Sequence, residues 1–314
     1  MGKHFEKSTS NSNKNIKAKP THLQQTKTSR KKIKKEKGSN QEPKRTNCKK
    51  TQIIIHIVIF ICIILVVFSA YNIYIWYKDS QDVQSYTDEI NNSVEITELT
   101  DEENVTIVKS DEDKSNPYWD YIKMNLIDVN FSELEKTNKD IAGWIQVNGT
   151  NINYPFVQTT NNDYYLTHSF SKDYNQAGWV FLDYRNNLKS FNKNTIIYAH
   201  SRLDKTMFGS LKNLLKSNWY DNKDNHIIKL STKNQNTLWQ VFSVYHLPTT
   251  NDYLKINFNS NSEFKTFAKM LQDRSVYKFN TAVSEKDKIL TLSTCYKNNQ
   301  KMVMHAKLIK YSNK

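Results

Sequence analysis

The chain has 314 residues and a formal net charge of +14, from 45 Lys and Arg against 31 Asp and Glu. Such basicity alone would suggest a nucleic-acid partner, but the charge is not spread over the chain. Residues 1–50 hold 16 basic and 3 acidic side chains, residues 51–70 hold none, residues 71–116 hold 3 and 12, and residues 117–314 carry the remaining +10. With 38% hydrophobic residues and three cysteines the chain is neither collagenous nor disulfide-rich, and its last 198 residues are enough to bury one core.

Residues 1–50 have no aromatic side chain after Phe5, and the run Arg30-Lys31-Lys32-Ile33-Lys34-Lys35 repels itself. This composition reads as a basic disordered tail, because it offers too little apolar area to offset the entropy of ordering. A nuclear-localisation or RNA-binding reading of the same run is set aside by the apolar segment next to it. From Ile53 to Ala70 there is no charge, and apolar character continues through Tyr71, Ile73, Ile75, Trp76 and Tyr77. At about 1.5 Å per residue, two dozen residues make a helix of roughly 36 Å, enough for a hydrocarbon core of about 30 Å. Residues 51–77 therefore read as a single transmembrane signal anchor, longer than the apolar core of a cleaved signal peptide. The basic tail before it and Lys78 alone just after it place the N-terminus in the cytoplasm and the rest of the chain outside the cell. Residues 78–116, acidic and poor in large apolar side chains, read as a solvated extracellular stalk.

The composition changes at Pro117, so residues 117–314 are expected to form the folded domain. Tyr118, Trp119, Tyr121, Ile122, Met124, Leu126 and Ile127 follow a helical pattern, and Phe131 to Glu135 suggests a second short helix. Eight apolar runs come after them, separated by Asn, Gly and Asp clusters: residues 143–147, 154–157, 178–182, 195–198, 226–230, 237–245, 288–293 and 302–309. They predict a mainly β domain, either a small barrel or a sandwich. Only Ser262 to Leu271 looks helical among them, with Phe264, Phe267, Ala268 and Leu271 on one face behind a Ser262 cap.

Of the three cysteines, Cys48, Cys62 and Cys295, topology keeps each from pairing with the others, and only Cys295 lies in the external domain. Alternation along Lys288 to Thr294 puts Leu290, Leu292 and Thr294 on one face and Cys295 on the other, at the strand's end beside the polar run Tyr296 to Lys301. A thiol so placed is open to reaction, whereas a free cysteine in mid-core is a small buried hydrophobe. A nucleophilic thiol needs a proton-transfer partner, for which the domain offers His168, His200, His226, His246 and His305. His200 has the same strand-end placement as Cys295, after Thr195-Ile196-Ile197-Tyr198-Ala199, while His305 alternates within a strand and reads as structural. No H-E-x-x-H, C-x-x-C, P-loop or G-x-S-x-G pattern is present, so no metal or cofactor is implied.

Taken together, Thr291-Leu292-Ser293-Thr294-Cys295 and Ile197-Tyr198-Ala199-His200, in an external domain behind an N-terminal anchor, resemble the sortases of Gram-positive bacteria. Class B is the nearest pattern, because Ala142-Gly143-Trp144-Ile145, Asn151 to Pro155, Asn161 to Leu166, Phe181 to Asn186 and Met207 to Leu211 occur in its order and spacing. The resemblance covers about residues 118–310 and implies an eight-stranded β-barrel with N-terminal helices and one helical insertion. It also implies a cysteine transpeptidase: Cys295 would attack the Thr carbonyl of an Asn-Pro-x-Thr-type C-terminal sorting signal on a secreted protein. The resulting thioester would pass to an amine of a peptidoglycan precursor, with His200 as acid and then base. Residues matching the family's signal groove are Asn162, Leu166, Thr249, Tyr253, Leu254 and Ser293; Tyr184 and Arg185 read as a turn pair outside the site. The chain departs from the pattern at Lys301, which stands where class B members carry an Arg. Lys keeps the charge but lacks the two-pronged donor fork, so Lys301 is expected to take the Arg's catalytic place more weakly, the alternatives being an Arg elsewhere, such as Arg202 or Arg274, or an impaired enzyme. Two alternatives remain beside this reading, a pilin-type polymerising sortase and a catalytically weak scaffold that binds sorting signals.

Overall fold

The computed structural model describes residues 46–100, 104–296 and 299–314. Most of the expected basic tail lies outside the described residues. The chain divides into two units, residues 1–60 and 61–314. In the first, the described residues are all helix, the opening turns of α1, which runs from Thr46 to Ser93 and takes in the end of the expected tail. It is, among the described residues, the one helix long and apolar enough to cross a membrane.

In the second unit, the acidic segment departs from the solvated stalk expected of it. The helix continues to Ser93, and Val83, Ile90 and Val94 are buried in the main core. Tyr86 packs edge-on to Trp179 at 6.4 Å between ring centroids and tilts against Phe170 at 6.5 Å. The stripe Val83, Tyr86, Ile90, Val94 has helical spacing, but the acidic composition around it hides it. Nearby, Arg202 donates to the Ser80 hydroxyl, pairs with Asp204 at 3.3 Å and lies 5.5 Å over the Trp76 ring. Strand β1 (Ile96–Leu99) and strand β2 (Val105–Ile107) complete the departure.

The helix expected from Tyr118 onward lasts one turn, α2 (Tyr118–Tyr121). Leu126–Val129 is instead strand β3, which pairs antiparallel with β1. The partner strand decides this, since a short apolar run carries no period that separates helix from strand. Helix α3 (Ser132–Thr137) sits where expected.

The eight apolar runs become the eight barrel strands: β4 (Ile141–Val147), β5 (Asn153–Val157), β6 (Phe181–Leu182), β7 (Asn194–Tyr198), β8 (Ile227–Thr232), β9 (Gln235–Pro248), β10 (Ile289–Tyr296) and β11 (Gln300–Asn313). Their order is β10-β7-β6-β5-β4-β8-β9-β11, and β11 pairs again with β10, so the sheet closes on itself as a barrel rather than a sandwich. Outside the ring, β2 adds to β11. Phe156, Leu230, Trp239, Leu290, Leu292 and Met304 belong to the main hydrophobic core, together with Trp144 and Trp179. At Gly143 a side chain would meet the Phe156 ring at 2.5 Å and the Ser231 carbonyl at 2.6 Å, so only glycine lets the strands approach there. His226 ends a 3₁₀ turn, Lys223–His226, rather than opening β8. Helix α4 (Ser217–Asp221) precedes that turn. Helix α5 (Asn261–Asp273) is the expected insertion, but its cap is Ser260, whose side chain accepts from the Glu263 N–H at 3.1 Å.

The segment before Pro117 is also tied in by charge. Lys307 Nζ donates to Glu112 Oε1 at 2.6 Å, to Ser110 Oγ at 2.7 Å and to the Ala282 carbonyl at 2.6 Å, and both charged side chains are 2% exposed. Removing one partner leaves the other charge buried and uncompensated. Glu112→Leu is therefore expected to cost about 3–5 kcal/mol in urea unfolding of the full chain in detergent. A freely solvated segment would give no change.

Candidate active site

Strands β7 and β10 run parallel and in register from Asn194 opposite Ile289 to Tyr198 opposite Ser293. Two residues past the last pair on each strand stand His200 and Cys295, so the ladder delivers both to the same end of the barrel. A side-chain bond locks this end: Thr294 Oγ1 donates to the Ala199 carbonyl at 2.7 Å, joining the residues that precede Cys295 and His200. On the other side of β10, antiparallel pairing sets Lys301 opposite Cys295, with Lys301 Nζ 3.3 Å from Sγ. Cys295 is exposed although Ile289 to Thr294 before it are all buried. His200 Nε2 donates to the Leu166 carbonyl at 2.8 Å, which orients the ring.

These three residues and all six taken as groove residues line one cleft of about 260 Å³. Leu166, exposed, and Leu254, half-buried, supply apolar wall. Tyr253, 1% exposed, hydrogen-bonds Ser293 Oγ at 2.9 Å below the thiol's strand end. Burial pushes its phenol above the usual range, so it stays neutral. Thr249 and Asn162 have their polar atoms engaged in the wall itself. Thr249 Oγ1 donates to the Asn299 carbonyl at 2.8 Å, bracing the turn that carries Lys301. Asn162 Nδ2 donates to Asp183 Oδ2 at 3.1 Å, and its Oδ1 accepts from the Tyr184 N–H at 3.0 Å.

Asp183 is the residue that sequence reasoning missed. It is fully buried and accepts from Arg185 Nε at 2.9 Å, Arg185 Nη2 at 2.8 Å, the Arg185 N–H at 3.0 Å and the Tyr198 hydroxyl at 2.9 Å. Arg185 Nη2 also reaches the Leu254 carbonyl at 3.2 Å. The turn pair outside the cleft thus ties together Asn162, Tyr198 and Leu254 on its walls. Burial alone would raise the Asp183 carboxyl, but the Arg185 fork and the Tyr198 hydroxyl outweigh it and hold it below the usual carboxylate range. The sequence signal was an acidic residue directly behind the apolar pair Phe181-Leu182.

The other histidines stand elsewhere. His305 is fully buried between the Tyr245 hydroxyl at 2.8 Å and Thr291 Oγ1 at 2.9 Å, and burial, then Arg274, pushes it down to about 3. His168 stacks on Tyr164 with centroids 4.0 Å apart, and His246 bonds Gln300 Oε1 at 2.9 Å. Among the described residues no three His, Cys, Asp or Glu side chains are grouped to hold a metal ion.

Residues 145–309 match the Sortase domain family. The chain belongs to the sortase family. It is 38% identical over 186 residues to Sortase B of Staphylococcus aureus, covering 58% of this chain and 75% of that protein. With Sortase B of Listeria monocytogenes it shares 36% over 181 residues, 56% of this chain and 73% of that one. Among solved structures, sortase B from B. anthracis superposes with a TM-score of 0.59 at 32% identity, covering 74% of this chain and 99% of that one. A sortase of this kind is a cysteine transpeptidase that anchors proteins to the cell wall.

The Asp183 node has a pH signature. Its folded pKa is depressed, so the stability it contributes is fully present above the unfolded value, about 3.9, and is lost as pH falls through the lower folded value. Asp183→Asn should lower the melting temperature at neutral pH, and the gap to the wild type should close below about pH 4. Thermal unfolding from pH 3 to 8 checks this; a gap independent of pH would remove the carboxylate from the account.

Proposed function

We propose that this sortase cleaves an Asn-Pro-x-Thr-type C-terminal sorting signal after the Thr and passes the protein to a peptidoglycan amine. The observation that carries the reading is the convergence of Cys295, His200 and Lys301 with an apolar-walled groove in one cleft. In the first step Cys295 Sγ gives its proton to His200 and bonds to the Thr carbonyl carbon, the amide C–N bond breaks, and His200 gives that proton to the leaving amine. An incoming amine then bonds to the thioester carbon and loses a proton to His200, which returns it to Sγ as the C–S bond breaks and so regenerates the enzyme. Lys301, a donor already against the sulfur, is within reach of the carbonyl oxygen on which charge develops. Its single ammonium does there what a guanidinium fork would do with two donors.

The same reading places residues 51–77 in the membrane, residues 1–50 in the cytoplasm and residues 117–314 outside the cell. The charge step across the apolar run supports that orientation. Residues 79–99 then serve as packed structure rather than as a loose tether.

Intact-mass spectrometry of the full chain in detergent, incubated with a panel of Asn-Pro-x-Thr peptides, tests this reading. The wild type should gain the mass of the acyl fragment, and Cys295→Ala should gain none. His200→Ala and Lys301→Met should each slow the adduct by about 10²-fold or more, whereas Lys301→Arg keeps the charge and should stay within about tenfold of wild type. A folded protein whose thiol alkylates normally yet takes no acyl group from any peptide would overturn the assignment.

A further inference from the structure

Helix α1 passes from the apolar run into the folded domain without a break, so contacts along it fix the level at which the domain begins. The outer end of the run carries Tyr71, Tyr74, Trp76 and Tyr77, aromatic side chains of the kind that settle at the headgroup level of a bilayer. Within a turn of Trp76, Asp79 accepts from the Gln176 N–H at 3.2 Å, and Ser80 accepts from Arg202, whose guanidinium also lies 5.5 Å over the Trp76 ring. The domain therefore meets the helix at the aromatic belt itself, and the segments that meet it include the loop just after His200.

That loop is tight. Ser201 bridges to Met207, the Phe208 N–H donates to the His200 carbonyl at 3.0 Å, and the Lys205 N–H donates to the Arg202 carbonyl at 3.3 Å, closing a turn over residues 202–205. The Asp204 carboxylate is held within it: Oδ1 accepts from the Thr206 N–H at 3.0 Å and hydroxyl at 2.6 Å, and Oδ2 pairs with Arg202. What the turn presents is Leu203, 80% exposed, and Lys205, exposed and without an ion pair among the described residues. Among those residues Leu203 is the most exposed large apolar side chain, more so than any in the apolar run. The tip of a turn in water is ordinarily given to Gly, Pro, Asn, Asp or Ser. An apolar tip with an unpaired cation beside it, at the level of an aromatic belt, has the chemistry of an interfacial contact: leucine suits the acyl boundary and ammonium suits the phosphates.

We propose that the 202–205 turn docks on the membrane, with Leu203 seated in the outer leaflet and Lys205 against the phosphates of anionic lipids. This rests on the reading of residues 51–77 as a membrane span with the domain outside. A single helix leaves the domain free to turn about its axis; a second contact away from that axis fixes the orientation. Because Ser201 alone separates Arg202 from His200, the contact holds the His200 end of the cleft at the lipid surface.

The test is the lipid exposure of a nitroxide at position 203 of the full chain, reconstituted in vesicles of equal parts phosphatidylcholine and phosphatidylglycerol. Leu203→Cys is labelled in a chain carrying Cys48→Ser, Cys62→Ser and Cys295→Ser, and Ile64→Cys in the same background marks the span. Collision with oxygen, which concentrates in lipid, is compared with collision with a nickel chelate, which stays in water. Both positions should show an oxygen excess. Lys205→Glu, or vesicles of phosphatidylcholine alone, should shift position 203 toward nickel and leave position 64 unmoved. Oxygen excess at 64 with nickel excess at 203 would overturn the docking turn and leave the span standing, whereas nickel excess at 64 would overturn the span reading itself. An oxygen excess at 203 indifferent to both changes would overturn the pairing of Lys205 with anionic lipid. In detergent, Leu203→Ser should form the acyl-enzyme at the wild-type rate; a loss there would assign Leu203 to the cleft instead of the membrane.

Discussion

The parallel pairing of β7 with β10 is the constraint on which the rest of the site depends. Parallel neighbours end on the same side of a sheet, so one ladder brings residues almost a hundred positions apart to a common rim. The cost is a long crossover between them, which here contains α4, β8, β9 and α5. Side chains alternate along a strand, so a slip of one residue in this register would turn Cys295 inward and expose its apolar neighbours. Burial of Leu290 and Leu292 in the core therefore also fixes the exposure of the thiol.

Around that rim, polar groups rather than apolar contact hold the cleft's shape. Thr294 to Ala199, Tyr253 to Ser293, Thr249 to Asn299 and the Asp183 node each satisfy a donor and an acceptor, and each joins two segments apart in the chain. In a low-dielectric setting such bonds are costly to leave unmade, so they rigidify what they join. The result is a groove whose apolar faces, Leu166 and Leu254, hang on a braced polar frame. That suits a transpeptidase, which works by positioning its reacting groups.

The N-terminal acidic segment belongs to the same frame. The helix that begins as the apolar span ends packed against Phe170 and Trp179, and Arg202, two residues past His200, is gripped by Ser80, Asp204 and Trp76. The buried Lys307 and Glu112 pair then pins the stretch before Pro117 to β11. A segment whose composition speaks of solvation is thus folded where its few apolar side chains fall on one helical stripe and where Glu112 finds Lys307.

By itself the sequence determined the elements with strong local signatures. The uncharged run from Ile53 to Ala70 makes a helix, eight apolar runs make eight strands, and Phe264, Phe267, Ala268 and Leu271 make an amphipathic helix. It also placed Cys295 and His200 at strand ends, and the motifs around them carried the family and singled out residues that line the same cleft. What it left open depends on partners distant in the chain. Barrel rather than sandwich was decided by the closing β10–β11 pair, β3 rather than helix by β1, and the helical stalk by the aromatic wall that receives it. The role of Asp183 lay beyond sequence reading for the same reason. The role of a buried polar group is set by what surrounds it, and only tertiary packing assembles those surroundings.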